Sequence, residues 1–232
     1  MKIMKYLVYL FFGAMIITSC NSGAKGNMIV SGNVDGLKKG TLYLEKIQDT
    51  VLVTLDSVVV DGTSLFELGA DITDAEIFFI NLDKNPNYRL SFFGEPGQIT
   101  INTELEKFDI KTSVMGSKNQ EILDNYNRMA KRFNDARLDL IEANFEAQQS
   151  QNQKALDSII KQSEGLIKRR YFYTTNFAVQ HAEYEVAPYL AITELYNATN
   201  KLLDTINNSL SPKVKESKYG KSLQELIDSR NE

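Results

Sequence analysis

The first twenty residues constrain this chain most, because a short cationic start leads into an uncharged apolar run that ends at a cysteine. Lys2 and Lys5 precede the run from Tyr6 to Thr18, which contains no charged residue. A helix needs about 20 apolar residues to cross a bilayer comfortably, so this run is short for a membrane span. Its length and its small-residue end are typical of a cleaved signal peptide. We therefore predict that residues 1–19 are a signal peptide.

The end of the run, Ile17-Thr18-Ser19-Cys20, resembles the lipobox of bacterial lipoproteins. In that family the cysteine is acylated before cleavage, so the resemblance implies that Cys20 becomes a lipidated first residue. Two or more acyl chains anchor a protein stably, whereas one binds a membrane only marginally. Cys20 is the only cysteine in the chain, which excludes an internal disulfide and a Cys-x-x-Cys redox centre. The alternative is an ordinary secretory signal with an incidental cysteine.

The residues after Cys20 predict a tether and a location. Residues 20–27 are small and polar, as in a flexible linker. No acidic run follows the cysteine, although such a run resembles the surface-export signal of Bacteroidota lipoproteins. We therefore expect a lipid-anchored protein of the cell envelope, on the outer membrane and facing the periplasm.

Length and charge limit the remaining possibilities. The chain has 232 residues, which suits one large or two small domains. Its hydrophobic content of 43% and charged content of 24% are those of a globular protein. The formal net charge is −4, and removal of a signal with two lysines would make the chain more acidic. Nucleic-acid binding needs a clustered basic surface, so this composition argues against it.

Residues 28–115 read as a strand-rich domain. Gln98 to Thr103 alternates apolar and polar residues, as a strand with one wet face does. Asp61-Gly62 lies between two apolar runs and is a strong hairpin signal. Strands at this spacing predict an antiparallel β-sandwich of about eight strands. The candidate strands are 28–34, 40–47, 51–60, 64–68, 76–82, 88–93, 97–103 and 107–112.

The order of these segments carries a family resemblance. It begins with Ile29-Val30-Ser31-Gly32, continues through Asp56 to Gly62, and then through Phe93 to Ile101. This order is similar to the domain of unknown function at the amino terminus of many Bacteroidota thiol–disulfide oxidoreductase lipoproteins. In those proteins a helical segment and then a thioredoxin-like domain follow, and we expect this chain to resemble them without the thioredoxin domain. The resemblance implies a fold and a setting, and it implies no activity by itself.

Residues 116–232 read as an α-helical region that completes an α+β protein. Ser117 is a plausible N-cap, with Gln120 at the capping-box spacing. Apolar residues then recur at helical spacing through Ile141 and Phe145. A second helix is predicted over 153–184. A third helix is predicted to begin at Pro188 and run to Ile206, and a fourth to begin after Ser211-Pro212. The first two should form an antiparallel hairpin.

Three consecutive aromatic residues, Tyr171, Phe172 and Tyr173, form the candidate binding site. On a helix they spread over about 200 degrees, so they cannot all face one core. We favour a helix that is buried on two sides, because large aromatic side chains usually serve packing. The alternative is that one ring is exposed in a groove for a glycan or peptide.

No motif in the chain predicts catalysis, a metal or a cofactor. His181 is the only histidine, and its loop with Glu183 and Glu185 is a weak metal signal that we interpret as a solvated connection. Nucleophile elbows, P-loops and dinucleotide fingerprints are lacking. We therefore predict no enzyme, but a lipoprotein that binds or positions a protein or glycan partner. The alternative is an accessory module for a separate thioredoxin-like oxidoreductase. A carboxylate-based hydrolase would need two acids that converge in a pocket.

Overall fold

The computed structural model describes residues 24–230, which form a β-sandwich followed by a helical lobe. The predicted signal peptide and Cys20 lie outside the described residues. Two four-stranded sheets have the strand orders β4-β1-β7-β8 and β3-β2-β5-β6. This confirms the α+β fold class with eight strands before the helices. The strands are β1 Met28–Asp35, β2 Lys39–Gln48, β3 Val51–Asp61, β4 Leu65–Ala70, β5 Glu76–Leu82, β6 Arg89–Gly94, β7 Gly97–Glu104 and β8 Ser113–Met115.

Alternation along the strands places the sandwich core between the two sheets. On β5, Phe78 and Ile80 face this core and are fully buried. The intervening residue Ile77 faces the other way and packs against the helical lobe. The fully apolar run from Ile77 to Ile80 therefore reflects a strand that is covered on both faces.

Two features of the sheets differ from the sequence-based expectation. β1 pairs with β7 in parallel, whereas its pairing with β4 is antiparallel. The predicted strand over 107–112 is wrong, because a 3-10 turn at Leu105–Lys107 and a further turn precede the short strand β8. Phe108 is 2% exposed there, and its carbonyl accepts hydrogen bonds from the hydroxyls of Thr103 and Thr112. These hydrogen bonds fix the segment so that the Phe108 side chain packs against the sandwich core.

The helical lobe consists of a long hairpin and four shorter helices. Ser117 caps the first helix, as predicted, because its Oγ accepts the Gln120 N–H at 3.1 Å. Gln120 does not complete a reciprocal capping box; its Oε1 instead accepts the Phe93 N–H at 2.7 Å. Gln120 therefore joins the two lobes. The helices are α1 Lys118–Gln149, α2 Gln153–Gln180, α3 Val186–Glu194, α4 Asn200–Ser209, α5 Pro212–Glu216 and α6 Lys218–Asp228.

The helices after the hairpin are more broken than the sequence suggests. α2 ends at Gln180, and the predicted third helix is divided into α3 and α4. Pro188 occupies the third position of α3 rather than its first, still within the first turn where the missing N–H costs nothing. Ser217 ends α5 and caps α6, so the predicted fourth helix is also two.

The hairpin begins at one edge of the sandwich. Gln120 contacts Phe93 on β6, and Asn127, two turns further along α1, shares a small cavity with Ser91. α1 therefore starts along the outer face of β6, the edge strand opposite β3. No helix among residues 24–230 combines the length and apolar character that a bilayer crossing requires.

The segment that leads into β1 is docked on the sandwich rather than flexible. Asn27 exchanges two side-chain hydrogen bonds with the backbone of Ile72, at 2.7 and 2.9 Å. Gly26 lies so close to Ala70 that a Cβ would come within 2.3 Å of its backbone. The Ala24 N–H donates to Glu67 Oε1 at 3.0 Å. Residues 24–27 are therefore held on the sandwich, which differs from the flexible tether predicted over 20–27.

Candidate functional site

The three consecutive aromatic residues separate onto three sides of α2. Tyr171 packs against the core of the shorter helices, whereas Tyr173 packs in the cluster between the helices and β6. Phe172 points outward and is 48% exposed. Both sequence-based alternatives therefore describe part of the site: the helix is buried on two sides, and one ring faces solvent.

Phe172 lies at a groove between α2 and the start of α4. The groove has a volume of about 510 Å³ and a mainly apolar lining. Lys168 lies over the Phe172 ring at 6.0 Å, the outer limit of a cation–π contact. The groove therefore offers apolar contact area with charged groups of both signs, Glu164 as well as Lys168 and Lys201, among its lining residues. Its main lining residues are Ile167, Lys168, Tyr171, Phe172, Lys201 and Leu202.

The outer half of the hairpin carries an apolar surface that continues this groove. The buried residues of α1 are concentrated between Asn119 and Ala130, and only Ala147 follows them. Beyond Ala130 the hairpin therefore packs mainly on itself. Ile167 lines both the groove and a neighbouring apolar cavity of about 230 Å³ between α1 and α2. We call the exposed residues here the hairpin face: Leu138 (58%), Ile141 (55%), Phe145 (61%), Ile160 (54%) and Ile167 (51%).

The exposure of the hairpin face is the feature of the site that the sequence did not predict. The helical spacing groups Ile141 and Phe145 with the other apolar residues of α1, yet more than half of each side chain is exposed. A signal was available: Leu138, Ile141 and Phe145 recur at steps of three and four, and Ile160 and Ile167 are seven apart. Such spacing is that of a helix seam that packs against another helix. The hairpin thus carries more apolar surface than its own pairing buries.

Asn119 joins the sandwich to two helices. Its Nδ2 donates to Glu95 Oε2 at 2.7 Å and to Glu185 Oε2 at 3.1 Å. Its Oδ1 accepts the Val186 N–H, at the start of α3, at 2.9 Å. Asn119 is only 2% exposed, so this buried polar network fixes the helical lobe against the strand ends.

A second polar junction forms around Glu76 at the start of β5. Glu76 is 4% exposed, and its carboxylate is paired with Lys46 at 2.9 Å and with Lys218 of α6. Beside it, the Ile77 N–H donates to the Tyr219 hydroxyl at 3.0 Å. Burial raises the pKa of Tyr219 above its ordinary range. Both contacts hold α6 on the sandwich.

The loop with the single histidine has a structural role. His181 Nδ1 lies 2.8 Å from the Phe177 carbonyl, and the two rings pack with centroids 4.3 Å apart. Glu185 is 4% exposed and contacts Asn119 and Lys213, which corrects the expectation of a fully solvated connection. Within residues 24–230 no group of three or more His, Cys, Asp or Glu side chains could hold a metal ion.

A polar cavity of about 230 Å³ lies between β6, α1 and α3. Glu194 is the one carboxylate among its lining residues, and it is paired with Arg170 at 2.6 Å. Nearby, the Tyr126 hydroxyl lies 2.8 Å from Thr174 Oγ1, and burial raises the pKa of Tyr126 to about 12. This cavity does not bring two acids together.

Comparison with known proteins assigns the strand-rich half. Residues 28–123 match the family model described as Domain of unknown function (DUF4369). The match covers all eight strands and the first residues of α1, up to the segment that contacts Glu95 and Phe93. The matched region thus includes Glu95 and Asn119, but not Glu185 and Val186, which Asn119 contacts in the helical lobe. The match confirms the resemblance of these strands to a domain of unknown function.

Other comparisons are limited. Transthyretin from Sparus aurata is 18% identical to the chain in a match that covers 40% of this chain and 98% of that one, with a TM-score of 0.29. Sea bream transthyretin in complex with thyroxine is 17% identical, with a coverage of 40% and 97% and a TM-score of 0.29. No curated protein matches the chain.

Proposed function

We propose that this protein is a lipid-anchored, periplasm-facing envelope protein that binds a protein partner through the groove at Phe172 and the hairpin face. The observation that carries the binding role is continuity between the two surfaces, because Ile167 lines both the groove and the cavity between α1 and α2. Exposed apolar surface of this extent on a helical pair is typical of interaction sites. The lipid anchor rests on the Ile17-Thr18-Ser19-Cys20 sequence.

A non-catalytic role is supported by what the buried acids do. Glu76 is paired with two lysines, and Glu185 is held by Asn119 and Lys213. Glu45, 3% exposed, accepts hydrogen bonds from Thr54 and Asn81. Each of these carboxylates is engaged in holding strands or lobes together, so none is poised as a general acid or base in the cavities described above.

A protein partner fits this surface better than a glycan does. Carbohydrate sites combine aromatic rings with several polar groups, whereas the five exposed residues of the hairpin face are all apolar. An amphipathic helix that lies along two antiparallel helices buries side chains at intervals of three and four residues. The hairpin face offers contacts at that spacing. The accessory role beside a separate thioredoxin-like protein is one form of this proposal.

Site-specific crosslinking in intact cells tests the binding site. A photoreactive phenylalanine at position 172 should form an adduct with the partner, and Ile167→Asp should abolish that adduct. The same photoreactive residue at Ile110, which is 82% exposed on the sandwich, is the matched control and should give no such adduct. Equal labelling from both positions, or labelling that Ile167→Asp leaves unchanged, would refute the assignment. A thioredoxin-like protein in the adduct would identify the accessory role.

Metabolic labelling tests the anchor separately. An alkyne-tagged fatty acid should be incorporated into the wild-type protein and not into Cys20→Ala, which should also leave the membrane fraction. Incorporation that survives Cys20→Ala would show that the lipobox interpretation is wrong.

A further inference from the structure

The point at which the docked amino-terminal segment leaves the sandwich determines which side of the molecule meets the membrane. From Met28 the chain, followed backwards, folds over the outer face of β4: Gly26 packs on Ala70, Lys25 on Gly69, and Ala24 reaches Glu67. Ala24 also lines a surface cavity of about 530 Å³ together with Asp56 and other residues of β3. The segment therefore ends at the side of the sandwich where the edge strands β3 and β4 lie next to each other.

Little chain remains between this point and the proposed anchor. Asn21, Ser22 and Gly23 separate Ala24 from Cys20. A fully extended chain advances at most about 3.5 Å per residue, so Ala24 lies within about 14 Å of Cys20. The outer strands of a four-stranded sheet are themselves about 14 Å apart. If the opposite edge faced the bilayer, the width of the sheet would separate Ala24 from the membrane, and only a fully extended tether could span that distance. The tether therefore favours an orientation with the β3–β4 side towards the bilayer.

The β3–β4 edge also exposes apolar side chains. Val59 lines the same cavity as Ala24 and is 73% exposed. Leu65, at the start of β4 and two residues from Glu67, is 67% exposed. Side chains of this kind gain free energy when they enter the boundary between headgroups and acyl chains. Scattered exposed apolar residues are ordinary, and it is their position at the tether that matters here.

From these observations we infer that the β3–β4 edge of the sandwich lies against the membrane surface, with Val59 and Leu65 at the contact. This inference rests on the proposed anchoring through Cys20. β6 and β8 occupy the opposite edges of the two sheets, and α1 begins on β6. The hairpin is therefore carried on the side away from the bilayer, where a periplasmic partner can reach it. A lipid surface also shields the unpaired backbone groups of the long edge strand β3 from pairing with other chains.

Single-tryptophan variants test this orientation, because the chain contains no tryptophan. The full chain is expressed, purified from membranes and reconstituted into vesicles with and without brominated lipids, which quench nearby indoles. A free Cys20 thiol in the purified protein would contradict the proposed acylation. In that case the thiol is coupled to a maleimide-headgroup lipid before reconstitution, so that the orientation can still be measured.

Val59→Trp places the probe at the tether, and Met115→Trp places it on β8 at the opposite edge, where Met115 is 54% exposed. Brominated lipids should lower the Val59→Trp emission about twofold and leave that of Met115→Trp unchanged. Leu65→Trp should behave as Val59→Trp does, and circular dichroism confirms that each variant is folded. Equal quenching at both edges, stronger quenching at Met115→Trp, or quenching at neither position would overturn the inference.

Discussion

Replacement of Asn119 by alanine should loosen the attachment of the helical lobe to the sandwich. The change removes the acceptor of the buried Val186 N–H and the donor shared by Glu95 and Glu185. A buried N–H without a partner costs about 1–3 kcal/mol, and a lost hydrogen bond to a charged group a further ~1.5–3 kcal/mol. Glu95 keeps the Lys118 N–H and Glu185 keeps Lys213, which limits the second cost. We therefore expect a loss of about 3 kcal/mol in the free energy of unfolding.

Urea unfolding, followed by circular dichroism, measures this loss against a matched variant in the same helix. Asn125 is exposed, and its side chain accepts a hydrogen bond from Arg128, one turn away on the same helix. Asn125→Ala should change the unfolding free energy by no more than about 0.5 kcal/mol, and in the stabilising direction, because alanine is the better helix former. Asn119→Asp should be at least as damaging as Asn119→Ala, since it sets a third carboxylate beside Glu95 and Glu185. A loss below about 1 kcal/mol for Asn119→Ala, or equal effects at positions 119 and 125, would refute the role of this network.

Three further predictions concern single contacts. Tyr219→Phe should cost about 1–3 kcal/mol in urea unfolding, because the Ile77 N–H loses its acceptor. Gly32→Ala should fail to give soluble protein, since a Cβ would lie 1.7 Å from the Ile101 carbonyl oxygen on the paired strand β7; normal expression would contradict this. The pKa of Tyr126, raised to about 12, implies stability that is complete below about pH 10 and lost as the pH rises towards 12. Tyr126→Phe should therefore reduce the alkaline loss of stability, and an unchanged pH profile would count against this prediction.

Seven of the eight strands follow from the sequence to within about two residues at each end, because turn residues and alternating side chains mark them locally. Gly32, which helped carry the family resemblance, is explained by the close approach of β7. The strand predicted over 107–112 is wrong, because the apolar residue Phe108 packs against the sandwich core from a turn, and this packing depends on the shape of the core. The parallel pairing of β1 and β7 also depends on distant segments.

The candidate site divides in the same way. The aromatic run from Tyr171 to Tyr173 could be singled out from helical geometry alone, since three adjacent rings cannot share one side. Which ring remains exposed was decided by α4, which packs beside α2 and leaves Phe172 at the rim of a groove. The exposure of the hairpin face could not be predicted, because periodicity shows that a helix has an apolar side without showing what covers it.

The sequence by itself determined the class of fold, the helix cap at Ser117 and the candidate anchor at Cys20, because these depend on neighbouring residues in the chain. Tertiary structure alone decided that Asn119 joins three segments, that the outer half of the hairpin stays uncovered, and that Ala24 ends at the β3–β4 edge. These features require contacts between residues far apart in sequence, such as the 67 positions that separate Asn119 from Val186. Local patterns carry no record of such contacts, since each partner on its own has the appearance of an ordinary polar residue.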